Sequence, residues 1–232
     1  MTDWLPPEAA TALALSLRVS LVATLVSLPV GILVAYALAR WRFPGHGLLN
    51  GIVHLPLILP PVVTGYLLLL AFGRQGWVGA PLWDWFGVTV AFRWTGAALA
   101  AGVMAFPLLV RAIRLAIEAV DPRLEEAAST LGASRAVVFA TVTLPLILPG
   151  VIAGAVLAFA KAMGEFGATI TFVANIPGET QTLPTAIYSF LQVPGGDGAA
   201  LKLVLISVAV AMAALALSEW LSRRVAARIA GR

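Results

Sequence analysis

The chain has 232 residues, of which 60% are hydrophobic and 11% charged, and its mean hydropathy is +0.96. Soluble domains run at about 45–50% apolar and about 25% charged residues, so the composition excludes an ordinary soluble domain and points to an integral membrane protein. The chain has no cysteine, which excludes disulfides and thiolate metal sites, and its net charge of +4 comes from basic residues that flank apolar runs, where topology explains them better than nucleic-acid binding does.

Each crossing of the hydrocarbon takes roughly 20 apolar residues, so the length suits five or six spanning helices in a single domain, residues 1–232. Five apolar runs stand out, at approximately 11–39, 47–72, 95–117, 142–174 and 199–221. The first follows an acidic, proline-containing leader, TDWLPPE, with no Lys or Arg ahead of it. A cleaved signal peptide would have a basic start and a small-residue cleavage site, so this run reads as a retained helix. The second run is broken by Pro56, Pro60 and Pro61 and contains His54, which is read as a packed or interface residue, a proton relay being the other reading. The connection that follows gathers Trp77, Trp83, Trp85, Phe86, Phe92 and Trp94, as an interfacial belt does. Pro107 is expected to bend the third run, and Pro145 and Pro149 the start of the fourth, either as plain architecture or to suit an alternating-access path. Beyond the fourth run, Asn175 to Gly198 carries Pro-Gly and Gly-Gly breaks and reads as a lid loop or a re-entrant helix. Threading the runs alternately with the N-terminus outside puts Arg40, Arg42, Arg111, Arg114, Arg123, Arg135, Arg223, Arg224, Arg228 and Arg232 inside. Only Arg74, Arg93 and Lys202 then fall outside. The expected topology is N-terminus out, C-terminus cytoplasmic.

The one sizeable polar loop on the inner side lies between the third and fourth runs, at about 118–141. Asp121 followed by Pro122 supplies an N-cap and a first-turn proline, and Glu125 and Glu126 complement the dipole of the helix that starts there. Leu124, Ala127, Ala128 and Leu131 share a narrow apolar face built largely of methyl groups. Gly132 can take the left-handed conformation that ends a helix, and Ser134 can cap a second one running through Ala136, Val137, Val138 and Phe139. Periodicity alone would equally allow a plain surface helix joining two spans. The spacing says more: Glu126, Ala127 and Ala128, then Gly132, then Leu144 and Pro145 resemble the EAA loop of ABC importer permeases. That resemblance implies a coupling helix inserted into a separate nucleotide-binding subunit.

The fourth run places Lys161 and Glu165 four residues apart on one face of a membrane helix, with Gly164 and Gly167 flanking the acid. Charge in hydrocarbon is costly, so such residues are functional candidates. A structural ion pair, to a neighbouring helix or to Arg18, stands beside a role for Lys161, Glu165, Gly167 and Thr169 in the translocation pathway. Thr169, Thr171 and Asn175 offer neutral donors that would hold a passing oxyanion loosely. The segment from Gly164 to Gly196, together with HLPLILPPVVTGYLLLLAFGRQG and DWFGV, is similar to the molybdate permeases of the binding-protein-dependent ABC importers over essentially the whole chain. The resemblance implies the all-α, type I importer permease fold with about five membrane helices. It also implies a homodimer, two cytoplasmic ATPase subunits and a periplasmic binding protein that delivers molybdate or tungstate to the bacterial inner membrane. Sulfate permeases are similar around the GEFG turn. About five helices are too few to enclose a wide aqueous route, which fits a path at a two-fold seam.

No G-x-x-x-x-G-K-[ST] occurs, so ATP binding is not expected here and the ATPase is expected on another chain. His46 and His54 lack metal-ligand neighbours at helical spacing and the carboxylates are scattered, so neither a metal, a cofactor nor a catalytic site is expected. A proton-coupled carrier using Glu165, or a small channel, are readings of another class. Both leave the coupling-type loop unexplained.

Overall fold

The computed structural model describes the backbone of residues 6–229 and the side chains of residues 6–225, and the regular elements among them are all helices. The leader residues Thr2 to Leu5 and the counted Arg228 and Arg232 lie outside the described side chains. In chain order the helices are α1 (Pro7–Arg40), α2 (His46–Ile58), α3 (Pro61–Phe72), α4 (Gly79–Phe86), α5 (Trp94–Glu118), α6 (Pro122–Thr130) and α7 (Arg135–Val138). A π-helical turn over Phe139–Thr143 leads into α8 (Leu144–Met163), followed by α9 (Gly167–Val173), α10 (Leu183–Leu191) and α11 (Asp197–Ile229). Among the described residues, four helices are long and apolar enough to cross a membrane, and the bent pair α2–α3 makes a fifth if counted as one span.

Helix α5 is the centre. Of its apolar stretch 67% is buried, against 11% for α11, and α1, α2, α3, α8 and α9 all pack on it. In lipid no hydrophobic drive pulls helices together, so close approach of small residues takes its place. The α1 face toward the core is built from Ala9, Ala12, Ser16, Ser20, Ala23, Thr24, Gly31 and Ala35. The α5 residues behind it include Ala97, Ala98, Ala101, Gly102 and Ala105. Ser20 and Thr24 donate their hydroxyls to the carbonyls one turn back, at 2.7 and 2.8 Å, so the polar atoms on this face stay satisfied inside the bundle. Larger side chains, Leu109, Ile113, Ile117, Ile147 and Phe172, fill the core further along. The opposite faces of α1 and α11 expose Leu21, Leu25, Leu33, Leu205, Met212 and Leu215, as lipid-facing surfaces do.

Two membrane segments are broken, and the breaks meet. Helix α2 closes with the amide of Leu59 on the carbonyl of Leu55, at 3.0 Å. The following Pro60 and Pro61 have no amide to continue the ladder, and the chain turns by 117° into α3. The fourth run breaks at Gly164 to Phe166, between α8 and α9. Helix α3 packs on α9 so closely that a Cβ on Gly65 would lie 2.5 Å from the Ala168 carbonyl oxygen, and one on Gly167 would lie 2.7 Å from Pro61 Cβ. The segment from Asn175 to Gly198, expected to be a lid or a re-entrant helix, contains turns and α10. At about 13 Å that helix is too short to span. The amide of Leu183 at its start donates to Ser16 Oγ of α1 at 2.6 Å.

Several expectations change. Pro56, Pro107 and Pro149 sit inside continuous helices, because in a membrane bundle the neighbouring helices can satisfy what proline frees. The fourth run continues through Pro149 and breaks at Gly164, where the glycines flanking Glu165 permit local unwinding. The second helix of the polar loop ends at Val138, one residue short of the expected Phe139, and passes into the π turn. There the Leu144 amide reaches the Phe139 carbonyl. The wider turn lies immediately before Pro145, whose ring would collide with the carbonyl four residues back in a regular α-helix. Arg18 is not a partner of Glu165: its guanidinium lies 3.8 Å over the ring of Trp94.

Gly65→Val is expected to lower the thermal midpoint of the detergent-solubilised protein by an amount equivalent to about 1–3 kcal/mol, as overpacking does. Gly198→Ala, where nothing lies within 4 Å of the added carbon, leaves the midpoint unchanged.

Candidate translocation site and coupling loop

Glu165 organises the break between α8 and α9. Its side chain is 2% exposed, and both carboxylate oxygens are used: Oε2 accepts from Lys161 Nζ at 2.7 Å and Oε1 from the Ala168 amide at 3.0 Å. Glu165 lies just past the end of α8, not on the helix face expected for it, so its carboxylate caps the first turn of α9 while Lys161, in the last turn of α8, matches its charge. Gly167 lies at the seam with Pro61. Of the four pathway candidates, Lys161, Glu165 and Gly167 come together at this break. Thr169 is buried within the bundle. The neutral donors beyond it are engaged inside the chain: Thr171 Oγ1 donates to the Gly167 carbonyl at 2.9 Å and Asn175 Nδ2 to Ser189 Oγ at 2.7 Å.

The polar loop forms the helix, turn and helix that its sequence implies. The Arg123 amide donates to Asp121 Oδ1 at 3.0 Å and the Val137 amide to Ser134 Oγ at 3.5 Å, so both helices start on the residues expected to cap them. Gly132 has a φ of +88°, which makes it the left-handed residue of the turn. Helix α6 has no buried residue. Glu126 and Ala127 are exposed and Ala128 half-buried, while Leu124 is 49% and Leu131 89% exposed. The apolar face of this loop is therefore open. Leu144 is half-buried and Pro145 exposed at the start of α8.

What fastens this open loop to the bundle escapes a reading of the sequence. Glu125 Oε1 accepts from Thr143 Oγ1 at 2.6 Å. Its other oxygen lies 3.3 Å from Arg40 Nε, an ionic contact without the alignment of a hydrogen bond. Arg40 Nη2 also donates to the Val120 carbonyl at 3.0 Å. Tyr36 packs edge-on against Phe139, with centroids 5.3 Å apart. Thus α6 is tied to the end of α1 and to the π turn that opens α8. The partners are far apart in sequence, and the only local signal for Glu125 was its place in the first turn of a helix.

These features describe a multi-pass helical membrane component with an open, well-capped loop at one end and broken helices inside. Residues 27–227 match the family described as binding-protein-dependent transport system inner membrane component, and the chain belongs to that family. It is similar to the molybdenum transport system permease protein ModB of Escherichia coli (strain K12), with 62% identity over 212 residues, 91% of this chain and 93% of that one. The ModB of Haemophilus influenzae is 56% identical over 214 residues, 92% of this chain and 93% of its own length. The sulfate transport system permease protein CysW of Synechococcus elongatus is 40% identical over 173 residues, 73% of this chain and 60% of that one. Among solved structures, a bacterial ABC transporter that imports alginate superposes with a TM-score of 0.74 at 21% identity, covering 94% of this chain and 80% of that one. The MetNI methionine ABC transporter gives 0.72 at 18% identity, covering 97% of this chain and 99% of that one. These two likenesses are of fold. The chain has the ABC importer permease fold and is a translocation component, not an enzyme.

Lys161→Met leaves a buried carboxylate unpaired and is expected to destabilise the protein by about 3 kcal/mol, the lower end for breaking a buried pair because Lys161 is 31% exposed. The double variant Lys161→Met, Glu165→Gln recovers much of that loss in the same thermal assay. Glu125→Gln is expected to raise amide hydrogen exchange across residues 122–138 roughly tenfold, the loss of one charge-assisted hydrogen bond. Exchange in α5 is unaffected.

Proposed function

We propose that this chain is the permease subunit of an ATP-driven importer that carries molybdate, and tungstate as its close chemical neighbour, across the bacterial inner membrane. The observation that supports the reading most is the 62% identity to the molybdenum permease across 91% of the chain. Sulfate-type relatives stand further away, at 40% and lower coverage. On this reading residues 1–232 form a single transmembrane domain that works as a homodimer with the path at its seam. Two copies of a separate ATPase grip the loop at about 118–141, and a periplasmic oxyanion-binding protein loads the outer face. The N-terminus is outside and the C-terminus cytoplasmic, following the excess of arginine on the loop side.

The geometry suits these roles. Glu126, Ala127, Ala128 and Gly132 present a short, small-featured knuckle that a partner can enclose closely. Leu144 and Pro145, after the π turn, are where its displacement enters α8. The tie from Glu125 to Arg40 carries the same displacement into α1. Lys161, Glu165, Gly167 and Thr169 stand at or next to the meeting of the broken helices, the type of place where transporters rearrange. A folding change there alters α3 and α9 together, because Gly65 and Ala168 touch.

The reading is tested in proteoliposomes that hold this chain, its ATPase and the loaded binding protein. Molybdate uptake should need ATP, stop with vanadate and resist a sulfate challenge. Gly132→Val should abolish uptake while the chain stays in the membrane, since valine tolerates the left-handed conformation poorly. Uptake that follows the proton gradient and ignores vanadate would instead identify a secondary carrier.

A further inference from the structure

A second polar cluster lies on the loop side of α2 and α5, used neither by the broken helices nor by the coupling loop. Asn50 and His54 are one turn apart on α2, and Arg111 and Arg114 one turn apart on α5. With Leu115 and Glu118 they line a cleft of about 270 Å³. Arg114 is fixed in place: Nη1 donates to Asn50 Oδ1 at 3.1 Å and Nε to Glu118 Oε1 at 2.7 Å, leaving its other guanidinium hydrogens free of these bonds. His54 Nδ1 donates to the Asn50 carbonyl at 2.9 Å. Its Nε2 has no partner among the described residues, and neither has the exposed Arg111.

Arg111 stands seven residues before the end of α5, about 10 Å in from that end. A lone arginine at this depth reaches toward the membrane surface with its long stem. That habit does not explain a second arginine beside it, held by an asparagine and a glutamate so that it points into a shared cleft. Nor does it explain a histidine with a free ring nitrogen on the facing helix. Ionisable groups gathered at membrane depth line water-filled routes. Two guanidiniums against one carboxylate leave the cleft a net cation, and guanidinium forks match tetrahedral oxyanions. The volume is below the roughly 300–1,000 Å³ of pockets for drug-sized molecules and suits a small ion.

We infer that this cleft binds a tetrahedral oxyanion on the loop-side half of the path. Arg111 is its direct charge partner, Arg114 is a second donor positioned by Asn50 and Glu118, and His54 stands opposite. Glu118 competes for Arg114, so the hold is loose enough for release. The inference rests on the oxyanion-importer reading above and adds an exit-side stopping point to it.

The test uses the complete permease–ATPase complex in nanodiscs, without binding protein, and radiolabelled molybdate as the probe. Wild-type complex should bind molybdate saturably, with displacement by excess sulfate. Arg111→Gln should weaken binding by roughly tenfold or more, the effect of losing one charge-assisted hydrogen bond, and Arg111→Lys, which keeps the charge without the fork, by less. Arg114→Gln should also weaken it. Gel filtration with the ATPase checks that each variant assembles. Discs of pure phosphatidylcholine and discs containing phosphatidylglycerol separate free anion from lipid phosphate: loss of bound anionic lipid with unchanged molybdate binding would overturn the inference. So would wild-type affinity in Arg111→Gln, or no binding by a complex that imports molybdate. Those outcomes leave the importer reading intact, whereas a wild-type complex that imports no oxyanion removes both.

Discussion

Hydrocarbon offers no water to a free peptide group, and the architecture here follows from that demand. Among the described residues every crossing is helical, and where a crossing is interrupted the protein itself answers loose backbone groups. Pro60 and Pro61 interrupt α2–α3 with residues that have no amide to leave unpaired. Between α8 and α9 the carboxylate of Glu165 takes the Ala168 amide, and Lys161 balances the charge that does so. The two interruptions are then pressed together through Gly65 and Gly167, where any side chain would collide. An acid buried in a membrane protein thus has a structural duty at this break, and any part in transport is added to it.

The polar loop solves the opposite problem. It holds a helix with no fully buried residue, so hydrophobic burial contributes little to its position. Capping by Asp121 and Ser134 gives it shape, and the contacts of Glu125 with Thr143 and Arg40 give it a fixed seat. The π turn over Phe139–Thr143 serves both ends at once: it accommodates Pro145 and brings the Thr143 hydroxyl under Glu125.

What the sequence revealed was local. The five apolar runs, the caps at Asp121 and Ser134 and the left-handed Gly132 each depend on residues within a turn or two of one another, and the structure contains all of them. The Lys161–Glu165 pair was legible for the same reason, being one turn apart. Prolines were less informative: Pro107 and Pro149 resemble Pro60 in sequence, yet only the pair Pro60–Pro61 stops a helix, because one missing donor can be absorbed and two in succession end the ladder. Contacts between distant segments had no local signal. Glu125 read as an ordinary first-turn acid until Arg40, 85 residues away by number, was found beside it, and Arg18 turned to Trp94 instead of to an acid.

Helix α1 is fastened at both extremities. Near its start Ser16 holds the first amide of α10, and at its finish Arg40 holds the Val120 carbonyl and Glu125. Some 24 residues of uninterrupted helix separate the two fastenings, a rod of about 36 Å. A strut so anchored links the knuckle at one end of the bundle to the small helix at the other. One continuous element thus sets the spacing between the polar loop and α10.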